Sequence, residues 1–154
     1  MEDTKNKIYK STLIIFWSTL FIMVMGVMYS CLEDYMGLLT NAFIAIFVSF
    51  LAIMTILGLA QIILVAKAKE TFTKIAKVFF ILTGASGFGI GFSLAMHGLV
   101  YFVAIKLFGE GIWNNVPGND EPVFFMLATI VCPLALLVGA IGSIVLIAMK
   151  KVRI

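Results

Sequence analysis

The chain is too apolar, and too poor in charge, for a protein that folds in water. It has 154 residues, of which 62% are hydrophobic and only 12% charged, whereas a soluble domain is usually about half apolar and about a quarter charged. This composition excludes a soluble globular domain, a disordered chain, a nucleic-acid-binding protein and a disulfide-rich secreted scaffold. The sequence therefore predicts an all-α integral membrane protein.

Four stretches of the chain are long enough to cross roughly 30 Å of hydrocarbon at about 1.5 Å of helix rise per residue. None of the four contains a charged residue. Because short loops join consecutive spans, we expect a single domain over 1–154 that folds as an antiparallel bundle. The predicted spans are about 12–32, 41–66, 78–105 and 123–149, and the outer loop is 108–121.

Basic residues indicate the orientation of these spans. Three lysines precede the first span, four lie between the second and third, and two lysines and an arginine follow the fourth, so that Lys106 is the one exception among eleven. Lysine and arginine are enriched in short cytoplasmic loops. The pattern predicts that both termini are cytoplasmic, in a plasma or cytoplasmic membrane whose lipid bilayer is the first partner of the chain.

Small residues follow one face of the third span and one face of the fourth. In a bilayer, such rows mark where helix backbones approach each other. Since a modest loop joins these two spans, we expect them to pack together along the two rows. The rows are Gly84, Gly87, Gly91, Ala95 and Gly98 in the third span, and Ala128, Cys132, Ala135, Gly139 and Gly142 in the fourth.

Pro133 interrupts the fourth span directly after Cys132. A proline inside a helix removes one backbone hydrogen bond and clashes with the preceding turn, so the sequence predicts a kink there. Cys132 belongs to a row of small residues, and we interpret it as a packing residue rather than a reactive thiol.

The third span also carries a line of polar side chains on the side away from its glycines. Such groups are costly to expose to lipid, so we expect this span to lie between two neighbours, with the polar line toward a helix or toward water. The line consists of Thr83, Ser86, Ser93, His97 and Tyr101.

His97 is the only histidine of the chain, and it lies about 28 Å along the third span, near the outer interface. One interpretation is a pH-sensing or cation site, in which the imidazole meets acidic residues on the outer side. The other is an interfacial histidine that hydrogen-bonds a loop while the acids are solvated. The acidic residues are Glu33, Asp34, Glu110, Asp120 and Glu121.

The sequence contains no recognisable catalytic or metal-binding pattern. One histidine and two separated cysteines do not match a zinc site, and no nucleophile has an evident base. We therefore expect no metal, no cofactor and no catalysis.

Two functions remain open on this evidence. The first is a non-enzymatic protein that acts as a homo-oligomer, or as an accessory or assembly subunit of a membrane complex. The alternative is a small channel or transporter with the Thr83, Ser86, Ser93 and His97 face lining a pathway, although the absence of a carboxylate from the spans disfavours proton coupling. An enzyme acting on lipid or quinone would need a headgroup site beside His97.

Overall fold

The structure is a computed structural model that describes residues 2–36, 40–68, 71–113 and 122–152, with the side chains of 3–28, 45–68, 71–109, 111–112 and 122–152. These residues are almost entirely helical, and four helical stretches are long and apolar enough to cross a membrane, as predicted. The helices are α1 (Glu2–Met36), α2 (Thr40–Lys67), α3 (Lys74–Phe108), a 3-10 turn (Glu110–Trp113), α4 (Pro122–Met126), a π-helical turn (Leu127–Val131) and α5 (Cys132–Ala148).

α3 is the central helix of the molecule. It packs along both α2 and α5, whereas α1 packs mainly along α2. α1 approaches α3 at two places: the Phe16 and Phe80 rings meet edge to face, with centroids 5.3 Å apart, and the methyl group of Thr19 lies beside Gly87. α3 therefore contacts three other long helices, α1, α2 and α5.

The hydrophobic core lies at one end of the bundle. It joins residues from the first half of α1, the end of α2, the start of α3 and the segment after α5. Among the basic residues that the structure describes, all except Lys106 lie at these same helix ends, and we call this the lysine end. The core consists of Phe16, Val65, Ala68, Phe72, Ala76, Phe80 and Val152.

Local signals explain where α3 begins and ends. Thr73 caps its first turn, because the Thr73 side-chain oxygen accepts a hydrogen bond from the Ala76 backbone N–H at 3.3 Å. The helix ends at Gly109, whose φ of 86° lies in the left-handed region that glycine adopts without strain. α3 thus extends beyond the predicted span of 78–105 at both ends.

The fourth span contains a π-helical turn where the sequence predicts a proline kink. The Cys132 N–H donates to the carbonyl of Leu127, five residues earlier. Pro133 has no N–H, so one carbonyl of the preceding turn loses its usual partner, and the wider turn accommodates this loss. Proline thus disturbs the helix in the turn that precedes it.

Candidate functional site

Among the described residues, α2 and α3 come into contact through backbone atoms at Gly58 and Gly84. A Cβ atom placed on Gly58 would lie 2.5 Å from the Gly84 carbonyl oxygen and 2.5 Å from the Phe88 nitrogen. A Cβ on Gly84 would lie 2.9 Å from the Gly58 carbonyl oxygen. Only glycine fits at both positions, since a side chain would have to displace backbone.

The prediction that the glycines of α3 pack against the fourth span is therefore wrong. Gly84, Gly87 and Gly91 face α2, where they meet Gly58, Met54 and Thr55. The physical reason is that α2 carries Gly58 on its own packing face, so these two backbones approach most closely. This glycine is absent from the predicted rows, although it lies inside the second span.

The outer end of the same row is exposed among the described residues. Ala95 and Gly98 are exposed, and a Cβ on Gly98 would meet no atom within 4 Å. Within the described residues, the predicted contact with another span is therefore missing at Gly98, while Ala95 lines a groove beside α2.

The small-residue row of the fourth span lies against a different face of α3. A Cβ on Gly139 would lie 2.7 Å from the Thr83 nitrogen and 2.7 Å from Thr83 Oγ1. Gly142 lies against the Phe79 ring, and Cys132 Sγ lies 2.8 Å from the position of a Cβ on Gly89. Earlier in this row, Ala128 is buried and Ala135 is half-buried.

The polar line of α3 is largely enclosed by protein. Thr83, Ser86 and Ser93 are buried. His97 is half-buried, with its ring centroid 5.7 Å from that of Phe125 on α4. Tyr101 is 37% exposed. The line is therefore covered along its first half and becomes accessible only toward its far end.

The buried hydroxyl of Thr83 is satisfied by its own helix. It donates to the Phe79 carbonyl, one turn earlier, at 2.9 Å. Threonine can make this bond within an α-helix, so its hydroxyl needs neither water nor a ligand in an apolar setting. Four other threonines in the spans do the same: Thr12, Thr19, Thr55 and Thr129.

Gln61 is a buried polar residue that does not belong to the predicted polar line. Its side chain is fully buried on α2, and Nε2 donates to the Phe80 carbonyl on α3 at 2.8 Å. Gln61 Oε1 and the Ser143 hydroxyl are buried without a hydrogen-bond partner among the described residues. The signal was present, since Gln61 is the only glutamine and it interrupts an apolar span.

An apolar groove of about 580 Å³ lies between α2 and α3. It lies farther from the lysine end than the contact between Gly58 and Gly84, at the level of Gly91 and Ala95 on α3. Its lining is formed by Val48, Leu51, Ala52, Thr55, Ile56, Gly91, Phe92, Leu94 and Ala95.

The predicted outer cation cluster remains a prediction. The side chains of Glu33, Asp34, Glu110, Asp120 and Glu121 all lie outside the described residues. Within the described part of the chain, no three His, Cys, Asp or Glu side chains are grouped so that they could hold a metal ion.

The function of this chain has to be inferred from its own residues, because comparisons with known proteins found no match. No protein-family model, no curated protein and no solved structure matches this chain.

Proposed function

We propose that this chain is a non-enzymatic four-span membrane protein that acts as an oligomer or as an accessory or assembly subunit of a membrane complex. One observation carries the proposal. The small-residue row of α3 packs internally at Gly84, Gly87 and Gly91, but its continuation at Ala95 and Gly98 is exposed. Exposed small residues on a membrane helix permit the close approach of another helix.

The exposed continuation lies beside the apolar groove between α2 and α3. Ala95 lines the groove directly, together with Ala52 and Gly91, so small side chains are present on both of its walls. Association in lipid depends on close van der Waals packing rather than on hydrophobic burial. A helix of a second subunit that packs against Gly98 and enters this groove would gain such packing.

The proposed arrangement is an antiparallel bundle with both termini cytoplasmic, in a plasma or cytoplasmic membrane. Three contacts support the antiparallel order, since Gly89 lies near Cys132, Thr83 near Gly139 and Phe79 near Gly142. Residue numbers rise along α3 as they fall along the fourth span. The excess of lysine around the chain ends supports the cytoplasmic assignment.

The decisive experiment changes Gly98 to leucine and extracts the protein directly into polymer nanodiscs, which retain neighbouring subunits. We expect wild-type particles to contain more than one protein chain, and G98L particles to lose the additional chains. Ala85→Leu is the matched control, because Ala85 is exposed on α3 about 140° around the helix from Gly98. Wild-type particles that hold a single chain, or equal losses in G98L and A85L, would contradict the proposal.

A channel or transporter is the second candidate, and it is favoured by Gln61 Oε1 and the Ser143 hydroxyl, which are buried without a hydrogen-bond partner in the described part of the chain. Polar side chains inside a membrane span often mark ion and solute pathways. Against this, the Thr83, Ser86 and Ser93 part of the suggested pathway is buried between helices. A flux assay in liposomes between about pH 5 and 8, the range in which an ordinary histidine titrates, tests it. Absence of ion or solute movement throughout that range would exclude conduction.

A further inference from the structure

At the lysine end, two hydrogen bonds join segments that are far apart in sequence: Thr73, before α3, and Lys151–Val152, after α5. We call this contact the clasp. The Thr73 N–H donates to the Val152 carbonyl at 3.0 Å, and the Thr73 hydroxyl donates to the Lys151 carbonyl at 3.1 Å, across 78 residues. Val152 is buried in the core beside this contact. The segment after α5 is thereby held against the start of α3.

The clasp joins two backbone segments that each carry lysines next to the joined residues. Lys74 follows the clasped Thr73, and Lys150 and Lys151 lie beside the clasped Val152. All three lysine side chains are exposed. The backbone turns at Lys150, whose φ is 54°, and its N–H donates to the Ile147 carbonyl at 3.0 Å. Three exposed lysines thus extend from backbone segments that hydrogen bonds hold together.

Large apolar side chains flank these lysines on the side toward the middle of the spans. On α3, Ile75 and Val78 are each 62% exposed, and at the end of the fourth span Met149 is 52% exposed. The surface thus presents cationic groups at the helix ends and exposed apolar groups beside them. A phospholipid has the complementary order, with a phosphate next to its acyl chains.

We propose that the clasp surface formed by Lys74, Lys150 and Lys151 binds the phosphate-bearing headgroup of an anionic phospholipid. Juxtamembrane lysines attract anionic lipid headgroups, and here three of them are gathered at the ends of two spans. The exposed Ile75, Val78 and Met149 contact the acyl chains. These apolar side chains favour a lipid over a free phosphate ion, because a phosphate ion has no acyl chain to contact them.

The test measures binding of phosphatidylglycerol to the protein in neutral detergent micelles by native mass spectrometry. Lys74→Gln combined with Lys151→Gln should weaken binding by at least about tenfold, since each lysine near a lipid surface contributes about fivefold in affinity. Lys7→Gln combined with Lys10→Gln is the matched control, because it removes two exposed lysines from the same end outside the clasp. We expect the control to weaken binding less than the clasp pair does, because Lys7 and Lys10 are not carried by the two joined segments.

Thr73→Val tests the clasp without removing a charge. It deletes the hydroxyl that donates to Lys151, and we expect it to weaken phosphatidylglycerol binding, while Thr73→Ser, which keeps a hydroxyl, preserves it. Equal weakening by the two lysine pairs, or equal binding of phosphatidylcholine, would overturn the proposal. Competition by millimolar inorganic phosphate would also overturn it, because the site would then recognise phosphate without lipid.

Discussion

At the scale of single residues, glycine decides how closely α2 and α3 approach. Gly58 and Gly84 face each other through backbone atoms, whereas Gly98 on the same α3 row faces open space. Three glycines that look alike in an apolar sequence therefore have different roles. What distinguishes them is the presence or absence of a neighbouring backbone.

Replacing Gly84 with alanine should destabilise the protein by about 1–3 kcal/mol, because the new Cβ would press on the Gly58 carbonyl. Gly58→Ala should cost at least as much. Gly98→Ala is the matched control and should be neutral or stabilising by up to about 1 kcal/mol, since alanine favours a helix more than glycine does. Reversible unfolding in mixed micelles measures all three. A loss for G98A as large as that for G84A would contradict the assigned packing.

Gln61→Met should change the stability by no more than about 1 kcal/mol. The substitution removes a hydrogen bond to Phe80 that is worth about 0.6 kcal/mol in membrane proteins. It also removes the buried Oε1 atom, which has no hydrogen-bond partner among the residues that the structure describes. Gln61→Ala should lower the free energy of unfolding by about 2 kcal/mol more than Gln61→Met does, because it leaves a cavity between α2 and α3. The same unfolding assay compares the two. A loss of more than about 3 kcal/mol for Q61M would show that Oε1 binds something further.

At the scale of elements, the fourth span is divided by its π-helical turn. The turn Leu127–Val131 lies between α4 and α5, and it sets the rotation of α4 relative to the rest of the span. α4 places Phe125 against His97. The environment of His97 therefore depends on the π-helical turn. Pro133, which follows this turn, removes the hydrogen bond that would keep it α-helical.

Pro133→Ala should convert the π-helical turn into α-helix and separate Phe125 from His97. A π-helical turn holds about one residue more than an α-helical turn, so its conversion to α-helix rotates the preceding helix by about 100°. Since His97 is the only histidine, its ring signals in an NMR spectrum of histidine-labelled protein report this movement without overlap. Pro122→Ala is the control, because proline at the first turn of a helix disturbs no hydrogen bond. An unchanged His97 signal in P133A would contradict this role of the proline.

At the scale of the whole molecule, the core and the clasp tie the bundle together at the lysine end. Val152 contributes to the same core as Phe16 and Phe72, so the segment after the fourth span is part of the fold. Farther from this end, an apolar groove lies between α2 and α3 beside Gly91 and Ala95. The described residues thus include a filled core at the lysine end and an open groove near the middle of α3.

Val152→Ala should destabilise the protein by about 1–2 kcal/mol, because it leaves a cavity in the core. Val145→Ala makes the same chemical change at a position that is 48% exposed, and it should cost less than about 0.5 kcal/mol. Thermal unfolding in the same detergent compares the two variants. Equal losses would show that the clasp segment does not contribute to the core.

Several features of this protein follow from the sequence alone. The number of spans, the position of the basic residues and the disturbance near Pro133 each depend on hydrophobicity, charge or a missing N–H. These are properties of a short stretch of chain, and they are visible without knowing its neighbours. The glycine row and the polar line of α3 could also be identified, since helical periodicity places residues on faces.

Only the tertiary structure decided which face meets which helix. The glycine row of α3 would suit any neighbour with a complementary small residue, and the presence of Gly58 made α2 that neighbour. The hydrogen bond of Gln61 could not be predicted from the sequence, because it is made to a backbone carbonyl on another helix. The clasp between Thr73 and Lys151 spans 78 residues, and backbone carbonyls carry no sequence signal. The sequence by itself thus determined which segments are long and apolar enough to cross a membrane, while close contact between segments decided how they pack.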